Sequence, residues 1–469
     1  MTTTATDRKT TELLRVHPEN GRYFANRTGN TVYLTGSHTW ANLQELKANE
    51  EEPDFDYVAH LDWLKGYGHN FTRLWAWEQT AWTPNSEPKV LFQPHPHPRT
   101  GPGNALDGLP KFDLSQDNDA YYERMRERVL LARDRGLYVM VMLFQGFSTN
   151  PKNKKGPPVP GAPWIGHPFN KQNNINGLDG DPNGDGHGRL VHTLEIPDVL
   201  AVQERYVRKV IDTVNDLDNV LYEIANESHG SSTEWQYHMI KHIRRHEARK
   251  AMQHPVVMTF QWDGIDCGKN ANLFASPADA ISLGGEGGTE WKDRLMNDPP
   301  ATDGSKVHLL DTDHFFGVGG DRKWVWKSFC RGYNPIFMDP NGPQPGNGAE
   351  LPNPNNADEG LETARTAMGH TLQLAQRVKL AAMTPQNELC STGYCLANSN
   401  ADTPEYVVYA PDGGPFTVDL TAVSGTMQAE WFDVAKGKTA GTEELTGGAK
   451  QEVQAPFDGD AVLYVKHSN

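Results

Sequence analysis

The run NVLYEIANESHG, Asn219 to Gly230, opens as an apolar stretch and closes on Asn226, Glu227, Ser228 and His229. A carboxylate at the tip of a core strand is placed for acid–base chemistry, because burial or a second carboxylate raises its pKa and keeps a proton on hand near neutrality. Asn-Glu also occurs at Asn49-Glu50 and Asn387-Glu388, but the first runs into Glu51-Glu52-Pro53 and the second follows Pro385 in a polar connection. Only Glu227 ends an apolar run. The competing reading makes Glu227 a helix cap or the partner of an arginine.

A proton donor acting on a glycosidic bond needs a second carboxylate, which attacks or activates water. KVHLLDTDHF offers Asp311 and Asp313, and GGEGG offers Glu286. Glu227 lies seven residues beyond Val220 and Asp313 six beyond Val307, so both reach similar heights if the two strands start level. Asp311 shares the parity of Asp313 one layer deeper, where it can hold Arg73 or His314. The order of candidates is therefore Asp313, Asp311, Glu286. Arg73 shares parity with Phe71, Trp75 and Trp77, and Glu223 shares parity with Glu227. An Arg73–Glu223 pair would be structural, whereas Arg73 against a catalytic carboxylate would be functional, and parity alone leaves both open.

Trp40, Trp75, Trp77, Trp82, Trp164, Trp262 and Trp291 fall at or beyond the ends of apolar runs, near His38, Gln145, Gln261 and Asp263. Aromatic faces pack on the C–H faces of sugars while polar neighbours bond the hydroxyls, so the group suits a carbohydrate cleft. DGDPNGDG places Asp179, Asp181, Asn183 and Asp185 at alternate positions with Gly184 at the bend, a spacing like calcium loops. Its twelfth position is Leu190 rather than a bidentate Glu, so a hydrated turn is favoured over a calcium site. His95 and His97 in HPHP read as a stiff loop. Cys267, Cys330, Cys390 and Cys395 have no zinc spacing, and no cofactor is expected.

These residues need a scaffold. Apolar runs begin at Thr31, Asn70, Leu137, Asn219, Pro255, Ala280, Lys306 and Asn334. They alternate with amphipathic stretches such as Tyr122, Met125, Val129 and Ala132, stopped by Gly136, or Val199, Val202, Tyr206, Val210 and Val214 after Pro197. Eight strands, each leading to a helical segment, predict an α/β fold, a (β/α)8 TIM barrel with its site at the strands' C-terminal ends. Long loops over 80–108, 149–195 and 341–358 would surround that site. From about Cys395 short alternating runs, EYVVYA, FTVDL, MQAEWFDV and AVLYVKH, predict a small C-terminal all-β sandwich. The expected divisions are a flexible segment over 1–15, the barrel over 16–390 and the sandwich over 391–469.

With 44 basic against 60 acidic residues, the net charge of −16 opposes phosphate backbones and anionic membranes. No run approaches a membrane span, and MTTTATDRKTTELL lacks an export-type apolar core, so the expectation is a cytoplasmic protein with neither nucleic acid nor membrane as partner.

GYGHNFTRLWAW with Arg73, followed by VLYEIANES, resembles the clan A glycoside hydrolases, the barrel enzymes that include cellulases and mannanases. The resemblance implies that Glu227 is the general acid/base, that Asn226 contacts a sugar 2-hydroxyl and that Arg73 supports the nucleophile. GSHTW and the β tail are similar to the apiosidase-like barrels with a collagen-binding-type C-terminal domain. The clan has a Glu at the tip of strand seven, where this chain offers Asp311 and Asp313. Glu286 would take that place if the strands are miscounted. The expected activity is hydrolysis of an oligosaccharide or glycoside with retention. The alternatives are a non-catalytic carbohydrate-binding barrel and a metal-dependent barrel hydrolase. The expected substrate-binding set is Asn226, Arg73, His38, Trp40, Trp75, Trp77, Gln145, Trp262 and His314.

Overall fold

The computed structural model describes residues 11–40, 42–49, 51–83, 89–152, 156–286, 288–315, 317–340 and 358–468. Residues 1–10 of the expected flexible segment, Glu50, and nearly all of the loop expected over 341–358 lie outside them.

Eight parallel strands form one sheet: β1 (Gly36–His38), β2 (Phe71–Leu74), β3 (Tyr138–Gln145), β4 (Val220–Asn226), β5 (Val256–Thr259), β6 (Ala280–Ser282), β7 (Val307–Asp311) and β8 (Asn334–Met338). Neighbours pair in chain order, and β8 returns to β1, with Ile336 opposite Gly36. Between β1 and β2 the gap is closed by Asn70 N donating to Thr35 O and Thr72 Oγ1 donating to Ser37 O. This is the expected TIM barrel, nearly closed.

Two strands differ in extent from their sequence runs. Thr31–Val32 does not continue into β1 but pairs with Phe24–Ala25, which pairs with Arg15–Val16, in an antiparallel sheet. Leu14 and Phe24 from this layer join Phe71, Met140, Leu221, Val257, Val307 and Ile336 in the lower barrel core. Trp75 and Trp77 lie beyond β2, which ends at Leu74, and are buried against Leu46, Phe92 and Met142. Leu46 and Phe92 belong to a small sheet of Glu45–Lys47, Val90–Gln93 and Ala81–Trp82, inserted on the C-terminal side of β1 and β2.

The helices are α1 (Tyr57–Gly66), α2 (Asp119–Arg133), α3 (Pro197–Val214), α4 (Thr233–Glu247), α5 (Asn270–Ala275), α6 (Thr289–Asn297), α7 (Arg322–Cys330) and α8 (Asp358–Ala375). In α3, Pro197 occupies the first turn, where its missing N–H costs nothing, and Val199, Tyr206, Val207, Val210 and Val214 are buried along one stripe. After α2, Gly136 takes φ +70° while Leu137 N donates to Ala132 O, which turns the chain into β3. No helix among the described residues is long and apolar enough to cross a membrane.

The C-terminal unit has a six-stranded sheet and a two-stranded one. Its strands are β9 (Thr384–Pro385), β10 (Cys395–Asn398), β11 (Glu405–Ala410), β12 (Pro415–Asp419), β13 (Thr426–Asp433), β14 (Lys438–Thr446), β15 (Lys450–Gln454) and β16 (Ala461–His467). The large sheet runs β9-β10-β11-β16-β13-β14, and β12 pairs with β15. Period-2 alternation explains how both faces of the large sheet are buried. Val408, Ala429 and Leu463 face Phe416, Val418 and Val453 of the small sheet, completing the sandwich. Val407, Tyr409 and Val462 face the barrel, where Tyr409 stacks on Trp326 of α7 at 6.1 Å and Arg322 pairs with Asp460 at 2.7 Å.

Candidate active site

The chemistry converges on Arg73. Its buried guanidinium, one rung up from Phe71 on β2, bonds Glu223 of β4 in bidentate fashion, Nε to Oε2 at 2.6 Å and Nη2 to Oε1 at 2.5 Å. Nη2 also donates to Asn226 Oδ1 at 2.8 Å, and Nη1 donates to Asp313 Oδ2 at 2.9 Å with Asp311 Oδ2 at 3.5 Å. Both contacts that parity left open are thus present: one edge of the fork makes the buried pair with Glu223, and another reaches Asp313 at the cleft. The planar five-donor group allows this, as a lysine ammonium could not.

Asp311 is the last residue of β7, and Asp313 sits in the one-turn 3-10 helix that follows, where its N–H donates to Asp311 Oδ1 at 3.1 Å. His38 at the end of β1 approaches Asp311 at 3.0 Å through Nε2. A carboxylate only accepts, so Nε2 carries the proton. Burial opposes ionisation of Asp311, but the His38 contact and the Arg73 charge outweigh it and hold this carboxyl well below the usual range. Asp311 is therefore a buried anchor for Arg73 and His38, as its depth suggests. His314 Nε2 donates to Asn226 Oδ1 at 3.2 Å, and its Nδ1 accepts from Ser282 Oγ at 2.9 Å.

Glu227 follows β4 with φ +46°, a left-handed conformation costly for a residue with a long side chain. Its neighbours hold it there. Gly146, after β3, has room only for hydrogen: a Cβ would lie 2.4 Å from Glu227 O and from Ser228 Cα. Ser228 Oγ lies 3.2 Å from His192 Nδ1, His192 Nε2 lies 3.1 Å from Glu78 Oε1, and His167 Nε2 lies 3.3 Å from Glu78 Oε2. Gln145 N donates to Glu78 Oε1 at 2.8 Å, tying β3 to the same carboxylate. Burial opposes the Glu78 charge, yet the two histidines bring its pKa down to about 2. Burial and the Asp313 carboxylate, with Asp263 adding and Arg73 opposing, push the Glu227 pKa up to about 8. Glu227 thus carries a proton at neutral pH, as a general acid must.

Glu227 and Asp313 open on one cavity of about 240 Å³, lined also by Trp40, Trp75, Trp77, Trp82, Gln145 and Phe147. Buried Nε1 of Trp40, Trp75 and Trp82 and Nε2 of Gln145 find no hydrogen-bond partner among the described residues. Buried donors of this kind are costly unless a ligand takes them up, and several beside apolar ring faces match alternating hydroxyls and C–H faces.

The remaining sequence candidates lie elsewhere. Glu286 is turned away, accepting from Asn270 N at 2.7 Å to cap α5. Trp262 is 41% exposed beyond β5, outside the cavity lining. Gln261 donates to Ser232 Oγ, and Asp263 pairs with Arg189 at 2.9 Å. Trp164 packs on Phe169 and Val191 inside the long loop, and Trp291 lies on α6 beneath the Arg294 guanidinium. In the Asp-rich loop, Asp181 accepts from Asp185 N and Gly186 N, and Asp185 accepts from His187 N, so these carboxylates bond their own backbone. His95 and His97 donate to the carbonyls of Phe92 and Gln116. The contacts of Glu78, His167, His192 and Ser228 are not legible in the sequence. The ESHG run and the polar Glu after LWAW were visible signals, but His167 and His192 lie in the long loop between β3 and α3.

A family model described as "Domain of unknown function (DUF6298)" matches residues 56–274, and one described as "Putative collagen-binding domain of a collagenase" matches residues 383–466. No curated protein sequence matches the chain. Among solved structures, one titled "Glycoside hydrolase" superposes with TM-score 0.58 at 14% identity, covering 97% of each chain. A glycoside hydrolase family 5 protein from Bacteroides vulgatus superposes with TM-score 0.61 at 14% identity, over 97% of this chain and 93% of the other. At such identity the likeness is one of fold: a barrel followed by a β domain.

Proposed function

We propose that this chain is a glycoside hydrolase in which Glu227 is the general acid/base and Asp313 the partner carboxylate, acting on an oligosaccharide or glycoside with retention. The observation that carries the reading is the Glu227–Asp313 pair on one tryptophan-lined cavity, with Glu227 held protonated and Asp313 bonded to Arg73. Two carboxyl groups in these unlike environments divide the labour of glycosidic cleavage.

Glu227 gives its proton to the leaving glycosidic oxygen as the C–O bond breaks. Asp313 attacks the anomeric carbon, and its oxygen forms the new ester bond. Water then cleaves that ester, losing its proton to Glu227, and the two groups return to their starting states. Arg73 fixes the Asp313 oxygen, and Asn226, oriented by Arg73 and His314, offers its amide to a sugar hydroxyl. The Glu78–His192–Ser228 chain holds the strained backbone that aims Glu227. Screening aryl glycosides of varied sugars, pentofuranosides included, tests the activity. Hydrolysis by the wild type that falls at least ~100-fold in Glu227→Gln on a substrate with a poor leaving group supports the reading. Equal hydrolysis by both would overturn the assignment.

A further inference from the structure

Outside the cleft, α3 and α4 bring Glu204, His238 and His242 together, with one ligand atom from each lying within 4.8 Å of the other two. From this juxtaposition we propose that Glu204, His238 and His242 bind a late first-row divalent cation of the Zn²⁺ class, pinning α3 to α4.

His238 and His242 are one turn apart on α4, so both rings face the same side, and their planes lie 22° apart. Glu204 comes from α3, with Oε1 2.7 Å from His238 Nε2 and 3.4 Å from His242 Nδ1. Zinc bonds of ~2.0–2.1 Å in a tetrahedron put ligand atoms ~3.3 Å apart, so a small opening of the His238 contact admits the ion. Two imidazoles and a carboxylate select Zn²⁺, Co²⁺ or Ni²⁺ over Mg²⁺ and Ca²⁺, which take all-oxygen sites. All three side chains keep some solvent exposure, which leaves the fourth position to water.

The contacts around His242 also suit a metal ligand. Its Nε2 faces the Glu204 carbonyl at 3.2 Å and Arg208 Nη1 at 3.3 Å, and these make opposite demands. The carbonyl needs a proton on Nε2, and the guanidinium needs a bare nitrogen. Without metal, a proton on Nδ1 can donate to Glu204 Oε1 while Nε2 accepts from Arg208; with metal on Nδ1 the proton sits on Nε2 and the Glu204 carbonyl accepts it. The carbonyl then serves as the outer partner that orients a ligating histidine. Arg208, half-exposed, remains with the other Glu204 oxygen, 3.8 Å away.

The test uses the full chain, stripped of metal with a chelator and desalted, then titrated with Co²⁺ and Zn²⁺. One equivalent of Co²⁺ should give the strong visible absorption of a tetrahedral site, and Zn²⁺ should displace it. At a hundredfold excess over its Kd, Zn²⁺ should raise Tm by roughly 2–4 °C, and Mg²⁺ and Ca²⁺ should not. His238→Gln, His242→Gln and Glu204→Gln should each lose the absorption and weaken binding at least ~100-fold, while His467→Gln on the β domain retains both. If His242→Gln misfolds, the other two decide. No tetrahedral absorption in the wild type, or its survival in folded His238→Gln and Glu204→Gln, would overturn the proposal.

Discussion

Replacing Glu227 with Gln removes one proton site and keeps the shape, which makes the raised pKa measurable as stability. The group titrates near 4.5 in the unfolded chain and at about 8 in the fold. Between these values the folded chain keeps a proton that the unfolded chain has released. Stability therefore falls as pH rises through this window, by up to ~1.4 kcal/mol per pH unit. Over the whole window the limit is about 5 kcal/mol, and solvent in the open cleft reduces the expected total to on the order of 2–3 kcal/mol. Gln carries no such penalty. The Tm of Glu227→Gln minus that of the wild type should be near zero at pH 4.5 and open to roughly 2–4 °C by pH 8, read by circular dichroism at each pH. The kcat/KM of the wild type should fall along an alkaline limb near pH 8. A Tm difference that is constant with pH, or that closes as pH rises, would refute the raised pKa and with it the argument for Glu227 as acid.

Arg73→Met strips Glu223 and Asp311 of their guanidinium while they stay buried, and should cost about 3–5 kcal/mol in denaturant unfolding, with Arg73→Lys recovering little because a lysine cannot span Glu223, Asn226 and Asp313. Gly146→Ala pushes a methyl into the Glu227–Ser228 backbone and should destabilise by ~1–3 kcal/mol while lowering kcat more than it raises KM. Calcium added to the chelated protein should leave Tm unchanged, since Asp181 and Asp185 already bond backbone amides. A rise would show a site at that loop.

The barrel and the carboxylates that β4 and β7 bring toward Arg73 were legible because a strand has only two faces. Once Val220 and Val307 start their strands, Glu223 and Asp311 follow by alternation, and Glu227 comes one residue past the end of β4. Asp313 is reached differently, since β7 ends at Asp311 and a 3-10 turn carries Asp313 to the cleft. That turn was not readable, although counting height along the chain gave the same residue. Glu286 is also a carboxylate after an apolar strand, but the turn at Gly284–Gly285 directs it to the start of α5. The role of Glu78 is not legible because its partners, His167 and His192, sit 89 and 114 residues away in a loop without periodicity. The same limit applies to tryptophans: Trp75 and Trp77 follow β2 into the cavity, whereas Trp164 and Trp262 stand on loops whose course no spacing rule gives.

The central claim is tested most directly by azide rescue on an aryl glycoside hydrolysed by the wild type, using Glu227→Ala, Asp313→Ala, Asp311→Ala and Glu286→Ala. With Asp313 gone, azide should restore turnover by attacking the anomeric carbon and give a glycosyl azide of inverted configuration. With Glu227 gone, azide should trap the Asp313 ester and give the retained configuration. Inverted azide from Asp311→Ala or Glu286→Ala, with Asp313→Ala still hydrolysing at the wild-type rate, would contradict the assignment.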